Sequence, residues 1–384
     1  PTLLAQTGQP FPSSFFSTHN SYVAMSPLPT THRVIRQKEG GILELGSAPL
    51  PLLFEPGMLL LKVKSVALNP CDYKMPSRFP SPGTLDGSDF AGTIIQLGEG
   101  ISRTDLKVGD RVCGAVHASN PEVPQNGSYA EFLATHEDLI LKVPQDMSWE
   151  DAAAIGGCVH SSIGYSLFGS LCVPGHPDKP AEKPVCVLVY GGATSCGTMA
   201  IQLLKAAGLK PITTCSPKNF PLVKAYGAEA AFDYSSPTCA EDIKAYTKNS
   251  LKYVLDIIAE SQTTKLCYAA IGRTGGKYTG LEYVDKNAAV KLRKVVKPDW
   301  VLGVSLTGVK IALPGDYGSE ADPERRVFAK EWFETMQRLL DEGTVKSHPV
   351  RVMEGGFQGI LEGLEILRRK EISGEKLVYY IPEQ

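Results

Sequence analysis

Residues 185–190 (VCVLVY) are apolar throughout and rich in β-branched types, with no polar alternation. Such a run predicts a strand buried on both faces, as in a parallel sheet. Gly191 and Gly192 break it, and beyond Thr194, Ser195 and Gly197 the period becomes helical. Met199, Leu203, Ala206 and Ala207 share one helical face, Ile201 and Leu204 widen it, and Gly208 supplies the stop. The same unit recurs downstream. Strands are predicted over 211–215, 230–234, 253–258, 275–279 and 300–306, with helices over 220–225, 240–247 and 263–271. That alternation predicts an α/β fold with a doubly wound parallel sheet.

The flanks have other periods. Between residues 31 and 141 strands are predicted over 32–37, 41–45, 58–68, 92–97 and 111–115, with only a turn near 72–75 suggesting helix. This reads as a mostly antiparallel unit. Ser148 caps a helix with Glu150 and Asp151 in its first turn, Gly156-Gly157 interrupts, and a second helical stretch covers 160–168. A loop with four prolines, 172–184, then leads into the central strand. The tail predicts a helix over 324–340, a strand over 349–353, a helix over 356–370 and a strand over 377–381. The last helix has a stripe of Phe357, Ile360, Leu361, Leu364 and Leu367. The two ends are therefore expected to form one domain, 25–160 plus 309–384, around a parallel-sheet domain at 161–308. Residues 1–24 are rich in Pro, Ser, Thr and Phe without periodicity, and read as a disordered extension before a natural start at Met25.

Length and composition fit this picture, with 384 residues, 43% hydrophobic and 21% charged. A net charge of −2 and no basic stripe argue against a nucleic-acid partner, and no apolar run has bilayer length. Nine cysteines are scattered singly, with no C-x-x-C pair. They read as buried thiols of a cytoplasmic protein rather than as disulfides or a metal cluster.

The strand, glycine turn and helix start at 185–197 together make a place for a pyrophosphate, although Thr194 stands where a middle glycine is expected. A βα unit without a ligand is the alternative. After the second strand come Ser216, Pro217, Lys218 and Asn219, with no acid to bind a ribose 2′-hydroxyl. A hydroxyl, an ammonium and an amide suit a 2′-phosphate, so NADPH is the expected cofactor. A solvated turn is the bland alternative.

Four landmarks in order carry a resemblance: ALNPCD at 67–72, GSDFAG at 87–92, VGDRV at 108–112 and GSYAEF at 127–132. From about Thr31 onward the chain resembles the medium-chain dehydrogenase/reductase superfamily. This implies a Rossmann doubly wound sheet inserted in a GroES-like β-rich catalytic domain. The metal-dependent branch has Gly-His-Glu where this chain has Gly87-Ser88-Asp89, so the resemblance is to zinc-free members, and no metal site is expected. The chain is further similar to the trans-acting enoyl reductases of fungal highly reducing polyketide synthases and synthase–peptide synthetase hybrids. The matching stretches are VLVYGG at 187–192, residues 207–219, 227–234, AAIGR at 269–273 and SGEKLV at 373–378. Thr194 is itself typical of that branch.

The resemblance implies site residues. Ala193, Thr194, Ser195 and Cys196 would meet the NADPH pyrophosphate, Ser216 to Asn219 the 2′-phosphate, and Tyr234 the adenosine. Leu281, Glu282, Ile372 and Ser373 would lie near the nicotinamide half, with Cys71, Asp72, Tyr73 and Lys74 on the cleft floor. Glu282 is an acid for which the pattern supplies no reason. The acyl pocket would use Ser162, Ile163, Gly164, Tyr165, Ser166, Leu167, Phe168 and Gly169, together with Gly303, Val304, Ser305, Leu306 and Thr307. Hydride delivery to Cβ of an enoyl thioester needs charge stabilisation at the carbonyl and a proton at Cα. Lys74, assisted by Ser161, is the candidate; an exposed surface lysine is the alternative. Asn69 and Asp72 are expected to fix their loop, Tyr73 ranks below Lys74, and His117 and His160 are taken as non-catalytic. The implied partner is a synthase acyl-carrier protein bearing the enoyl chain, docked by a monomer. The same motifs would serve a stand-alone NADPH quinone or enone reductase, or a protein that only binds the dinucleotide.

Overall fold

The computed structural model describes residues 28–383, so the expectations for residues 1–24 and Met25 fall outside the described residues. The chain opens with the antiparallel hairpin of β1 (Thr31–Gln37) and β2 (Leu43–Pro49). Next come β3 (Met58–Ala67), α1 (Pro70–Arg78), β4 (Asp89–Leu97), β5 (Arg111–Ala115), β6 (Phe132–His136) and β7 (Ile140–Lys142). Then follow α2 (Trp149–Ile155) and α3 (Cys158–Gly164), which runs on into a wider π-helical turn, Tyr165–Ser170.

The repeating units are β8 (Cys186–Tyr190), α4 (Ser195–Ala206), β9 (Lys210–Cys215), α5 (Phe220–Ala225), β10 (Ala230–Asp233) and α6 (Cys239–Tyr246). They continue with β11 (Tyr253–Asp256), α7 (Ser261–Ala270), β12 (Gly276–Gly280), α8 (Lys286–Leu292) and β13 (Val296–Trp300). A 3-10 turn, Gly303–Thr307, leads to α9 (Pro323–Asp341), β14 (Val350–Met353), α10 (Gly356–Arg368) and β15 (Lys376–Tyr380).

The six strands β8–β13 form one parallel sheet in the order β10-β9-β8-β11-β12-β13. This is the Rossmann order, and its direction reverses at β8, where doubly wound sheets open a ligand crevice. The second sheet runs β14-β15-β3-β4-β5-β7, with β6 also paired to β3. The C-terminal β15 lies antiparallel to β3, so the chain's two ends share this GroES-like sheet.

Both faces of β8 are covered. Val187 and Val189 join a core with α2, α3, α4 and α9 residues such as Ala153, Ile163, Leu203 and Trp332, while Leu188 packs on the opposite face with Ile243, Val254 and Tyr278. Ala67, Ala91 and Leu141 of the mixed sheet enter the first of these cores. The helical layer therefore joins the two sheets.

Several elements depart from the sequence pattern. The turn near 72–75 is the nine-residue helix α1, with Pro70 in its first turn, where a missing N–H costs nothing. The strand expected over 300–306 is instead β13, whose Pro298 is tolerated because β13 is a sheet edge. The apolar run after it forms the 3-10 turn packed on α3 and α9. Helix α8 was not anticipated, and the second strand starts at Leu43 rather than residue 41. All nine cysteines are free thiols, but Cys172 is exposed, contrary to expectation. Among the described residues no helix is long and apolar enough to cross a membrane.

Candidate active site

The turn after β8 is built from backbone. Gly191 has φ +89°, and a Cβ on Gly197 would sit 2.4 Å from the Gly191 carbonyl, so strand and helix close up only without side chains there. Thr194 is the N-cap of α4. Its Oγ1 accepts from the Gly197 amide at 3.0 Å and donates to the Gly191 carbonyl at 2.8 Å. A glycine could do neither, which accounts for a threonine at this position. The Ser195 and Cys196 amides begin the helix without partners inside it, next to the half-buried Ala193, and such free amides suit an anion.

The next strand ends supply the second part. Cys215 and Asp233 are in register, which sets Ser216 beside Tyr234, the latter 48% exposed. Asn219 Nδ2 donates to Ser216 Oγ at 3.2 Å and to Ser373 Oγ at 3.0 Å, joining residues 154 positions apart. Pro217 and Lys218 are exposed, and Ile372 packs at the edge of the mixed-sheet core. Ser216, Asn219 and Ser373 are thus one cluster, with no carboxylate among them.

On the opposite side lies a buried polar corner. Asp72, 2% exposed, accepts from the Asn69 amide at 2.8 Å, Tyr129 Oη at 2.7 Å and Ser88 Oγ at 2.7 Å. Burial raises its pKa, against the pull of the Ser88 and Tyr129 hydrogen bonds. Cys71 Sγ adds a longer contact at 3.6 Å, and together these donors fix the carboxylate within its loop. Lys376 Nζ donates to Asp89 Oδ2 at 2.8 Å and to Asn69 Oδ1 at 2.9 Å, and Asn69 Nδ2 donates to Asp89 Oδ2 at 2.9 Å. The Lys376 and Asp89 side chains are 3% and 0% exposed. Burial works against the Lys376 charge, but the Asp89 carboxylate outweighs it and its pKa is raised.

The glycine turn after β8 and this corner meet at three thiols. The Cys71 thiol is pushed well above its ordinary pKa by the neighbouring Cys158 and by burial, and its Sγ lies 3.6 Å from Asp72 Oδ1 and 3.7 Å from Ser88 Oγ. Burial, with help from Asp89 and Cys71, pushes the Cys196 thiol up to about 12. The starts of α1, α3 and α4 therefore converge.

Lys74 stands at the rim. Its Nζ is 3.7 Å from Glu282 Oε2, and its side chain is 42% exposed. Glu282 has a structural reason after all. Arg78 Nη1 donates to it at 2.9 Å, the Tyr283 amide at 3.1 Å, and Tyr317 Oη also donates. Burial alone would raise the Glu282 pKa, yet Arg78 and Tyr317 hold it below its ordinary value. The acid thus joins α1 to the loop after β12, beside the half-buried Leu281. Tyr73 lies under the Arg368 guanidinium, 5.6 Å from its ring centroid, and lines a cavity between α1, α10 and residues 40–43. Ser161 Oγ donates to the Gly157 carbonyl at 2.5 Å, so its proton lies on its own helix.

The two segments expected to hold an acyl chain do touch: a Cβ on Gly303 would come within 2.2 Å of Ser162 Oγ. Their side chains differ in availability. Ile163 and Leu167 belong to the core, Ser166 Oγ bonds the Ser162 carbonyl, and Gly164 abuts the Trp332 indole. Ser305 and Leu306 are buried, with Ser305 Oγ held by Arg325. Tyr165, Phe168, Gly169, Gly303, Val304 and Thr307 remain half-buried. The expected pocket residues are therefore partly scaffold, because successive residues of a helical turn cannot all face one side. His117 and His160 are buried with pKa values lowered by burial to about 4, and neither His160 ring nitrogen has a hydrogen-bond partner among the described residues.

Sequence reading missed the roles of Asp89, Tyr129 and Lys376. Their signals were a carboxylate inside GSDFAG and a lysine opening an otherwise apolar strand, both read only as landmarks.

Comparison with known proteins agrees with this architecture. The alcohol dehydrogenase GroES-like domain family matches residues 55–145, and the zinc-binding dehydrogenase family matches residues 196–308. Trans-enoyl reductase ffsC of Aspergillus flavipes is 52% identical over 357 residues, covering 92% of this chain and 96% of that protein. Trans-enoyl reductase xenG of Xenoacremonium sinensis is 47% identical, covering 92% and 96%. The crystal structure of CurK enoyl reductase superposes with a TM-score of 0.70 over 92% of this chain and all of that one, at 17% identity, which speaks to fold alone.

Proposed function

This chain belongs to the trans-enoyl reductase family of medium-chain dehydrogenase/reductases, and on that premise we propose that it reduces polyketide enoyl chains with NADPH. The substrate is the α,β-unsaturated thioester carried on a synthase acyl-carrier protein, met by a monomeric enzyme. The observation that carries the cofactor reading is the Ser216–Asn219–Ser373 cluster, where donors stand at the end of β9 and a carboxylate would repel a 2′-phosphate. The Ser195 and Cys196 amides suit the pyrophosphate, and the convergence of Cys71, Cys158 and Cys196 brings that turn against the catalytic floor.

Bound there, NADPH would supply the hydride. The chain's own residues then have two tasks: to stabilise charge at the thioester oxygen and to protonate Cα. We assign Lys74 to one or both, as a mobile ammonium at the rim near Glu282, and Ser161 to positioning near the nicotinamide. We read the chemistry as metal-free, because at the GSD turn Ser88 donates to Asp72 and the Lys376 ammonium is seated on Asp89.

The test compares one enoyl chain on an acyl-carrier protein with the same unsaturation in a free enone. Turnover should be faster on the carrier; faster reduction of the free enone would favour a stand-alone detoxifying reductase. Lys74→Ala should lower kcat by about 10²-fold, a typical general-acid contribution. Unchanged turnover at saturating substrate would remove Lys74 from the chemistry.

A further inference from the structure

The Gly156-Gly157 step between α2 and α3 has no part in the function so far. Gly156 has φ +48°, and a Cβ there would lie 2.3 Å from Asp89 Oδ1. A Cβ on Gly157 would lie 2.5 Å from the Ala115 amide nitrogen. The absence of both side chains lets the Asp89 carboxylate reach the start of α3, where Oδ1 accepts from the Gly157 amide at 2.9 Å and the Cys158 amide at 2.8 Å. Its other oxygen, Oδ2, is held by Lys376 and Asn69. One carboxylate therefore ties four segments together: β4, the start of α3, the residue before α1 and the first residue of β15.

We propose that Asp89 and Lys376 are positioning residues for the reduction, a buried clamp that holds the first turn of α3, and with it Ser161, against the Cys71–Lys74 turn of α1. The proposal rests on the reading of this cleft as the hydride-transfer site. The chemistry requires a pair. Asp89 without a counter-ion would be an uncompensated buried charge, and Lys376 without Asp89 would be another. Held together, they supply an anion to the two amides of α3 and keep Asn69, the residue preceding α1, within hydrogen-bond reach. Lys376 thus acts from the far end of the chain on a turn some 300 residues earlier, without touching the reacting atoms. Small displacements of such a turn lower turnover more than binding, because catalytic groups must lie close to their productive geometry.

The variant for the test is the double substitution Asp89→Asn/Lys376→Met, which removes both charges together and leaves neither buried alone. Three quantities are read on the full chain: hydrogen exchange of the Gly157 and Cys158 amides without cofactor, NADPH affinity, and the kcat and KM for an enoyl thioester. The clamp predicts a folded protein with exchange at these two amides at least about tenfold faster, NADPH affinity within about threefold of wild type, and kcat lowered about tenfold or more with little change in KM. A folded variant with wild-type kcat, or with unaltered exchange at both amides, would overturn it. Should the double variant not fold, Asp89→Asn/Lys376→Gln also removes both charges while keeping a hydrogen-bond donor at 376, and is judged by the same outcomes. The exchange measurement needs no substrate. Failure of wild-type protein to reduce any enoyl thioester would therefore strike the proposed function and leave the clamp to be judged separately.

Discussion

The glycine turn at 191–197 and the buried corner at Asn69, Asp89 and Lys376 lie close together but are made differently. The turn uses main-chain atoms of seven consecutive residues, with Thr194 as the cap that closes it. The corner uses side chains separated by up to 307 positions, all withdrawn from water. A turn built from backbone is constrained by the need for small residues, whereas a corner built from side chains is constrained by the need for every buried charge and polar atom to have a partner. The two regions should therefore fail in different ways.

The largest effect is expected at the turn. Gly197→Val places a side chain against the Gly191 carbonyl and forces strand and helix apart. NADPH affinity should fall by about 10²-fold, the loss of two charge-assisted hydrogen bonds, in a fluorescence titration. Exchange at the Gly157 amide should stay at its wild-type rate, and loss of both would show that the two regions are not separable.

Acid should strike the buried side. His160 has a folded pKa of about 4, below its ordinary value, because burial disfavours the cation. The unfolded chain binds that proton more readily, so stability is complete above about pH 6.5 and declines as pH falls through 4, by about 3 kcal/mol. His160→Phe should make this limb shallower without abolishing it in unfolding curves recorded against pH, because His117 and His348 are also lowered to about 4 by burial. An unchanged slope would assign acid sensitivity elsewhere.

Cofactor choice comes next. Ser216→Asp sets a carboxylate beside Asn219 and should cut kcat/KM with NADPH about tenfold or more while sparing NADH, read as the ratio of the two. An unaltered ratio would separate this cluster from the 2′-phosphate. The smallest effect belongs to Arg78→Ala. This breaks a partly exposed ion pair with Glu282 and should cost less than about 1 kcal/mol in thermal unfolding.

Much of this was visible before any coordinates. The continuous apolar run at 185–190 specified a strand buried on two faces, and the glycines after it specified the turn. Each depends on neighbours within a few residues, so period and residue type suffice. The strand expected at 300–306 failed because an apolar run does not say which surface will bury it. In the fold it packs on α3 and α9 as a 3-10 turn. Glu282 had no local reason because its partners, Arg78 and Tyr317, lie 204 and 35 positions away.

By itself, then, the chain's order of residues determined the two-sheet architecture and the glycine turn after β8, both of which follow from short-range pattern. Only the tertiary structure decided that Lys376 would neutralise Asp89, that Ser373 would join Asn219, and which residues of the 162–169 and 303–307 segments stay half-buried. Those pairings depend on burial and on the pairing of β15 with β3, and a charge's partner deep in a protein is set by topology rather than by sequence distance.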